Sequence, residues 1–190
     1  MKPKIVIFAS GSGTNALNLI RHFKANGIAE TVAVFCNVPG AGVIEKAEAE
    51  DIPVYIFTKE SLQSGESLRD RLLDLHAEWV VLAGFLWLIP SWMIRLYPDR
   101  IVNIHPALLP AYGGKGMYGD NVHKAVLANG EKTHGVTVHL VNEEYDKGRI
   151  LAQEHFEISP GDTLETIAAK IHAIEYKIYP ACLEKLFAES

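Results

Sequence analysis

The chain has 190 residues, 48% of them hydrophobic, enough to bury one substantial core, and the expectation is a single domain over 1–190. A net charge of -5 argues against nucleic-acid or anionic-membrane binding, which relies on clustered positive charge, so an anionic ligand must be caught locally. The two cysteines, Cys36 and Cys182, lie far apart with no CxxC or CxxH spacing; no disulfide framework or zinc site is implied, and a reduced, cytoplasmic chain is the simplest inference.

The start, MKPKIVIFASGSG, has a short apolar run that ends in a Ser/Gly turn, so it reads as a strand and not as a signal peptide. No apolar stretch approaches membrane-spanning length. Lys4 to Ala9 is a β-branched run of the kind buried in parallel sheets, followed by SGSGTN and a helix with Leu17, Leu19, Ile20 and Phe23 at its inner positions. Thr14 or Asn15 can cap that helix. Its free N–H groups beside Gly11 and Gly13 suit an anion, most naturally a phosphate, although a Gly-rich turn without ligand reads equally well. The pattern is neither GxGxxG nor a GxxxxGK[ST] loop.

Thr31 to Cys36 is a second strand, and AGVIEKAEAEDI a helix with Val43, Ile44 and Ala47 facing inward. Pro53 to Phe57 is a third strand, Lys59 to Gly65 a polar loop, Glu66 to His76 a helix and Trp79 to Ala83 a fourth strand. This alternation predicts βαβ units with right-handed crossovers in a mostly parallel, doubly wound α/β sheet of roughly seven strands, with helices on both faces. Gly84 to Pro90 (GFLWLIP) is an apolar loop that either packs in the core or lines a pocket for a flat apolar ligand; Ser91 to Tyr97 is a short helix.

The stretch IVNIHPALLPAYGG, from Ile101, is a strand opening into a proline- and glycine-rich loop. Side chains two apart on a strand share a face, so Asn103 and His105 project together where a buried strand ends. In open α/β sheets that is a usual place for catalytic groups, although a satisfied histidine at a strand end explains the stretch alone. KGMYGDN is then a flexible loop whose Asp120 or Asn121 caps a helix ending at Asn129-Gly130. A strand follows with His134, Val136, Val138 and Leu140 on one face and Thr137 and His139 on the other. Next come an acidic turn (NEEYDKG), a final strand (RILAQEHFEI) and a helical tail from Thr163 to Phe187. No internal repeat or linker interrupts the chain.

Taken together, SGSGTN, LAGFLWLIP, NIHPALLPAYGG, HGVTVHLVNEEYDKGRILAQ and IEYKIYP, in this order, resemble the glycinamide ribonucleotide transformylases within the folate-dependent formyltransferases. The resemblance implies a Rossmann-like formyltransferase fold, with a nucleotide side in the N-terminal part and a folate side in the C-terminal part. It also implies formyl transfer from 10-formyltetrahydrofolate, as co-substrate and without a metal, to 5'-phosphoribosylglycinamide in de novo purine (IMP) synthesis. Asn103, His105 and Asp146 match the catalytic trio: an amide donor and a protonated imidazole for the developing oxyanion, with Asp146 raising the histidine pKa. From spacing alone, Asp146 is a solvated turn residue like Glu143 and Glu144.

Gly11, Ser12, Gly13, Thr14 and Asn15 match the phosphate loop, and Glu175 a carboxylate for the ribose hydroxyls. Leu86, Trp87, Leu88, Ile89, Asn103 and Val141 match the folate side. Trp87 stands where some members carry arginine, and Lys59 is a substitute cation for the folate tail. His123 and His139 match histidines near the site, and read structurally as a helix-start residue and a strand partner. A formyltetrahydrofolate hydrolase, another formyltransferase or a non-catalytic nucleotide sensor on the same scaffold are the alternatives. A monomer or homodimer is expected, with no nucleic-acid or membrane partner.

Overall fold

The computed structural model describes residues 2–189. They form one sheet of seven strands: β1 (Lys4–Ala9), β2 (Glu30–Cys36), β3 (Val54–Ile56), β4 (Trp79–Leu82), β5 (Ile101–His105), β6 (Thr133–Leu140) and β7 (Ile150–Glu157). The spatial order is β3-β2-β1-β4-β5-β6-β7, with parallel pairing from β3 through β5 and antiparallel pairing of β6 with β5 and β7. After β3 the chain returns past β1 to build the other half. This reversal leaves a crevice beyond the carboxyl ends of β1 and β4, where open α/β sheets bind ligands.

The helices are α1 (Thr14–Asn26), α2 (Gly42–Glu48), α3 (Lys59–Ser64), α4 (Glu66–Asp74), α5 (Ser91–Leu96), α6 (Asp120–Ala128) and α7 (Leu164–Ala188). The period-2 alternation of the strands sorts side chains between two cores. Ile5, Ile7, Val81, Val102 and Val138 pack with residues of α1, α2 and α7, whereas Val6, Phe8, Val80, Leu82 and Ile101 pack with Leu62, Leu72, Trp92 and Met93 of α3, α4 and α5. Because helices cover both faces, the inner strands read as unbroken apolar runs. Pro180, inside α7, cannot donate to the carbonyl of Tyr176. Asn18 of α1 supplies the missing donor, Nδ2 to Tyr176 O at 3.0 Å, which pins the two helices together.

Three local expectations are corrected. Lys59 to Gly65 is not a loop: Thr58 accepts the Ser61 N–H, Leu62 is buried, and Gly65 closes α3 at φ 76, so a capped helical turn forms from a polar stretch with one apolar anchor. Neither Thr14 nor Asn15 caps α1, whose cap is Gly13 at φ 75 without a side-chain bond; a Cβ there would lie 2.5 Å from Val43 Cα, so α2 packs against the bare backbone. Likewise Gly119 caps α6, and Asp120 lies within its first turn.

Candidate active site

The backbone beyond β1, β4 and β5 encloses a cavity of about 660 Å³. Its lining includes all the residues expected to bind the acceptor (Gly11 to Asn15 and Glu175) and the folate (Lys59, Leu86 to Ile89 and Val141), together with Asn103, His105 and Asp146. The glycine loop is held from behind by Val43 N–H to Gly11 O (3.1 Å) and by Ser10, whose N–H donates to Gly84 O at 3.0 Å. At the start of α1 the Leu17 N–H donates to Gly13 O at 2.9 Å, so the amides before Leu17 belong to the donor-rich first turn of the helix. Ser10 Oγ also accepts the Leu86 N–H at 3.1 Å, tying the loop after β1 to the apolar loop after β4. In that second loop Leu86 and Leu88 are 43% and 36% exposed, while Ile89 is buried. Trp87 sets its ring edge-on to Phe57 and Phe85, so GFLWLIP anchors in the core and also forms a pocket wall.

At the strand end, Asn103 pairs with His139 and His105 with Thr137 across β5 and β6. His139 Nδ1 lies 2.7 Å from the Leu140 carbonyl, which can only accept; in the neutral ring Nε2 is therefore an acceptor, and it takes a hydrogen from Asn103 Nδ2 at 3.2 Å. His139, a strand partner by position, thus orients the Asn103 amide. His105 is 4% exposed and its Nε2 faces Tyr112 O at 2.8 Å, which puts the hydrogen of the neutral ring on Nε2 and the lone pair on Nδ1. Nδ1 faces Asp146 Oδ2 at 3.6 Å, and the other oxygen of Asp146 lies 3.6 Å from His139 Nε2. The loop after His105 is fixed from below: Thr137 Oγ1 accepts the Leu109 N–H at 3.0 Å and donates to Ala107 O at 2.7 Å.

Asp146 is therefore no solvated turn residue. Its side chain is 10% exposed, its backbone adopts φ 56, and Oδ2 accepts the Gly114 N–H at 2.9 Å. Burial raises its pKa, but the neighbouring His139 and His105 and the Gly114 amide together draw it below the ordinary value, so it is a carboxylate. The glycine of the D-x-G turn is required sterically, since a Cβ on Gly148 would collide with the Leu140 carbonyl oxygen.

Asp146 pulls the His105 pKa upward, as expected, but the net shift is downward and the resting imidazole is not the protonated one anticipated. Burial, the largest influence, lowers the pKa, and the opposing pull of Asp146 and the Tyr112 carbonyl does not make up the difference, so the resting imidazole is neutral at pH 7. Buried His134 is pushed down to about 4 by desolvation and by its neighbour His123, whose Nδ1 it meets through Nε2 at 2.9 Å. His123, in addition, lines the cavity.

The wall expected from Val141 to Asp146 includes Tyr145, which lines the cavity, whereas His172, which also lines it, was not foreseen from the sequence. His172 stands three residues before Glu175, a helical spacing that brings the two side chains together, and this was the available signal. The Lys115–Gly119 segment lines the cavity as well. Among the described residues no helix is long and apolar enough to cross a membrane.

A family model described as formyl transferase matches residues 3–183. The phosphoribosylglycinamide formyltransferase of Bacillus subtilis (strain 168) is 39% identical over 188 residues, covering 96% of this chain and 94% of that protein. The chloroplastic phosphoribosylglycinamide formyltransferases of Arabidopsis thaliana and Vigna unguiculata are 40% and 39% identical, and the chain spans 63% and 62% of their lengths. Among solved structures, phosphoribosylglycinamide formyltransferase from Bacillus halodurans superposes with a TM-score of 0.89 at 38% identity, covering 97% of this chain and 95% of that one. The enzyme of the same name from Brucella melitensis gives 0.86 at 40% identity, covering 99% and 97%. The seven-stranded, mostly parallel sheet is thus the fold of these enzymes, and the chain belongs to the formyl transferase family, alongside the phosphoribosylglycinamide formyltransferases.

Proposed function

We propose that this chain transfers the formyl group of 10-formyltetrahydrofolate to the primary amine of 5'-phosphoribosylglycinamide, in de novo purine synthesis. The observation that carries the reading is a single cavity in which a glycine loop at a helix start and an apolar wall flank Asn103, His105 and Asp146. The loop amides suit the phosphate of the acceptor, and Glu175 suits its ribose hydroxyls. The exposed apolar faces of Leu86 and Leu88, with Trp87 and Val141, fit a flat ring system, and Lys59, which also lines the cavity, is a cation for an anionic tail.

When bound, the folate supplies a formyl carbon already activated toward an amine. Attack on that carbon places negative charge on the formyl oxygen, and the Asn103 amide keeps a second N–H, beyond its bond to His139, to stabilise it. Neutral His105 accepts the proton of the attacking amine at Nδ1, against the Asp146 carboxylate, and then donates it to the leaving nitrogen. The charge expected on His105 is therefore acquired during the reaction, beside a carboxylate that stabilises it. Free Cys36 and Cys182 suit a reducing compartment, and we place the chain in the cytoplasm on that ground.

The test is an assay with 10-formyltetrahydrofolate in the presence and absence of phosphoribosylglycinamide. Release of tetrahydrofolate that depends on the acceptor is the expected result. Acceptor-independent release would assign a hydrolase instead, and no release a nucleotide sensor.

A further inference from the structure

Glu175 is 5% exposed, and one of its oxygens is engaged twice: Oε2 accepts from Asn15 Nδ2 at 2.9 Å and meets His172 Nδ1 at 3.0 Å. Asn15 belongs to the glycine loop and α1, His172 to α7, so this one atom joins the two elements that frame the acceptor end of the cavity. A carboxylate only accepts, so His172 Nδ1 carries a hydrogen in every protonation state, and protonation adds a second N–H at Nε2. The ring lies parallel to that of Tyr176, with centroids 6.2 Å apart, and lines the cavity. SGSGTN itself contains no charged residue, so a phosphate held by its amides receives no counter-charge from the loop.

We infer that His172 is a positioning residue of the acceptor site: its Nδ1–H holds Glu175 with Oε1 left for the sugar hydroxyls, and its imidazolium form supplies the positive charge that the glycine loop lacks. Acceptor affinity is then set by pH through His172. The inference rests on the nucleotide half of the function proposed above. The groups facing His172 are Glu175 and Tyr176 on its own helix, Asp120 and His123 from α6, and uncharged Asn15 from α1. The hydrogen bond to Glu175, aided by the charge of Asp120, outweighs burial and raises the His172 pKa above the ordinary histidine value. The cation therefore predominates below that raised value and is lost as pH rises through it, and acceptor binding weakens in the same direction.

Two readouts on the full chain test this: calorimetric binding of ribose 5-phosphate, and the separate KM values for acceptor and folate, each followed across the histidine pH range. His172→Gln keeps an N–H donor but cannot titrate, and His172→Ala removes both functions. In H172Q ribose 5-phosphate binding at low pH weakens by about tenfold, the scale of one charge-assisted contact, and the gap from wild type closes as pH rises. In H172A the deficit persists at every pH. The acceptor KM follows the same pattern while the folate KM does not move. The second ionisation of the phosphate, at about pH 6, strengthens binding as pH rises and acts equally on all three proteins, so the comparison removes it. A wild-type pH profile in H172Q, equal shifts in both KM values, or no binding of ribose 5-phosphate by the wild-type chain overturns the inference. Binding that behaves as described in a chain without formyl transfer supports this inference and overturns the catalytic reading alone.

Discussion

At His105, burial favours the neutral imidazole, Asp146 and the Tyr112 carbonyl favour the cation, and burial prevails. The neutral form is the one that can accept a proton, so kcat/KM falls as pH drops through a pKa below 6.5. Asp146→Asn removes a charge that raises this pKa, and the acid limb of the pH–rate profile moves to lower pH in that variant. His105→Ala lowers kcat by about 10²- to 10⁴-fold with little change in either KM, the range of a lost acid–base group. Steady-state rates on folded protein check both; unchanged turnover in H105A removes the histidine from the mechanism. The Asn103 and His105 pair was legible, because strand alternation is a local rule. Asp146 was not, because its backbone at φ 56 and its contacts with His105, His139 and Gly114 are made across the fold.

Among the elements, the D-x-G turn binds geometry to chemistry. Gly148 passes so close to the Leu140 carbonyl that any Cβ must displace the backbone that carries Asp146 two residues earlier. Gly148→Ala is expected to lower stability by about 1–3 kcal/mol, on the scale of an overpacked core, and to reduce kcat as well. Urea denaturation and rates measured on the same preparation check the pair; a variant with wild-type stability and turnover would mean that the turn relaxes freely. The helix α3 escaped a polarity-based reading, since KESLQS contains one apolar residue and owes its ends to Thr58 and Gly65. The motif glycines were easier to see than their reasons: the positive φ of Gly13 and its contact with Val43 depend on where α2 packs.

For the molecule as a whole, α7 locks the two halves of the site to the sheet. Tyr179 is fully buried, with its hydroxyl 2.8 Å from the carbonyl of Leu82 and 3.1 Å from that of Val102, on the neighbouring strands β4 and β5. Tyr179→Phe removes the buried hydroxyl that bridges the two carbonyls and should cost about 1–3 kcal/mol of stability, read as a lower urea midpoint at unchanged m-value. A midpoint equal to wild type would show that the contact contributes nothing. Periodicity and turn chemistry act over a few residues, so the alternation of strands and helices, the strand faces and the loops that bear Asn103, His105 and the glycines are legible in the chain before it folds. Folding is what brings these loops to one cavity, aims Asn103 by His139, joins His172 and Asn15 on one oxygen of Glu175 and leaves His105 neutral. Those outcomes follow from burial and from contacts between segments remote in the chain, which no local pattern encodes.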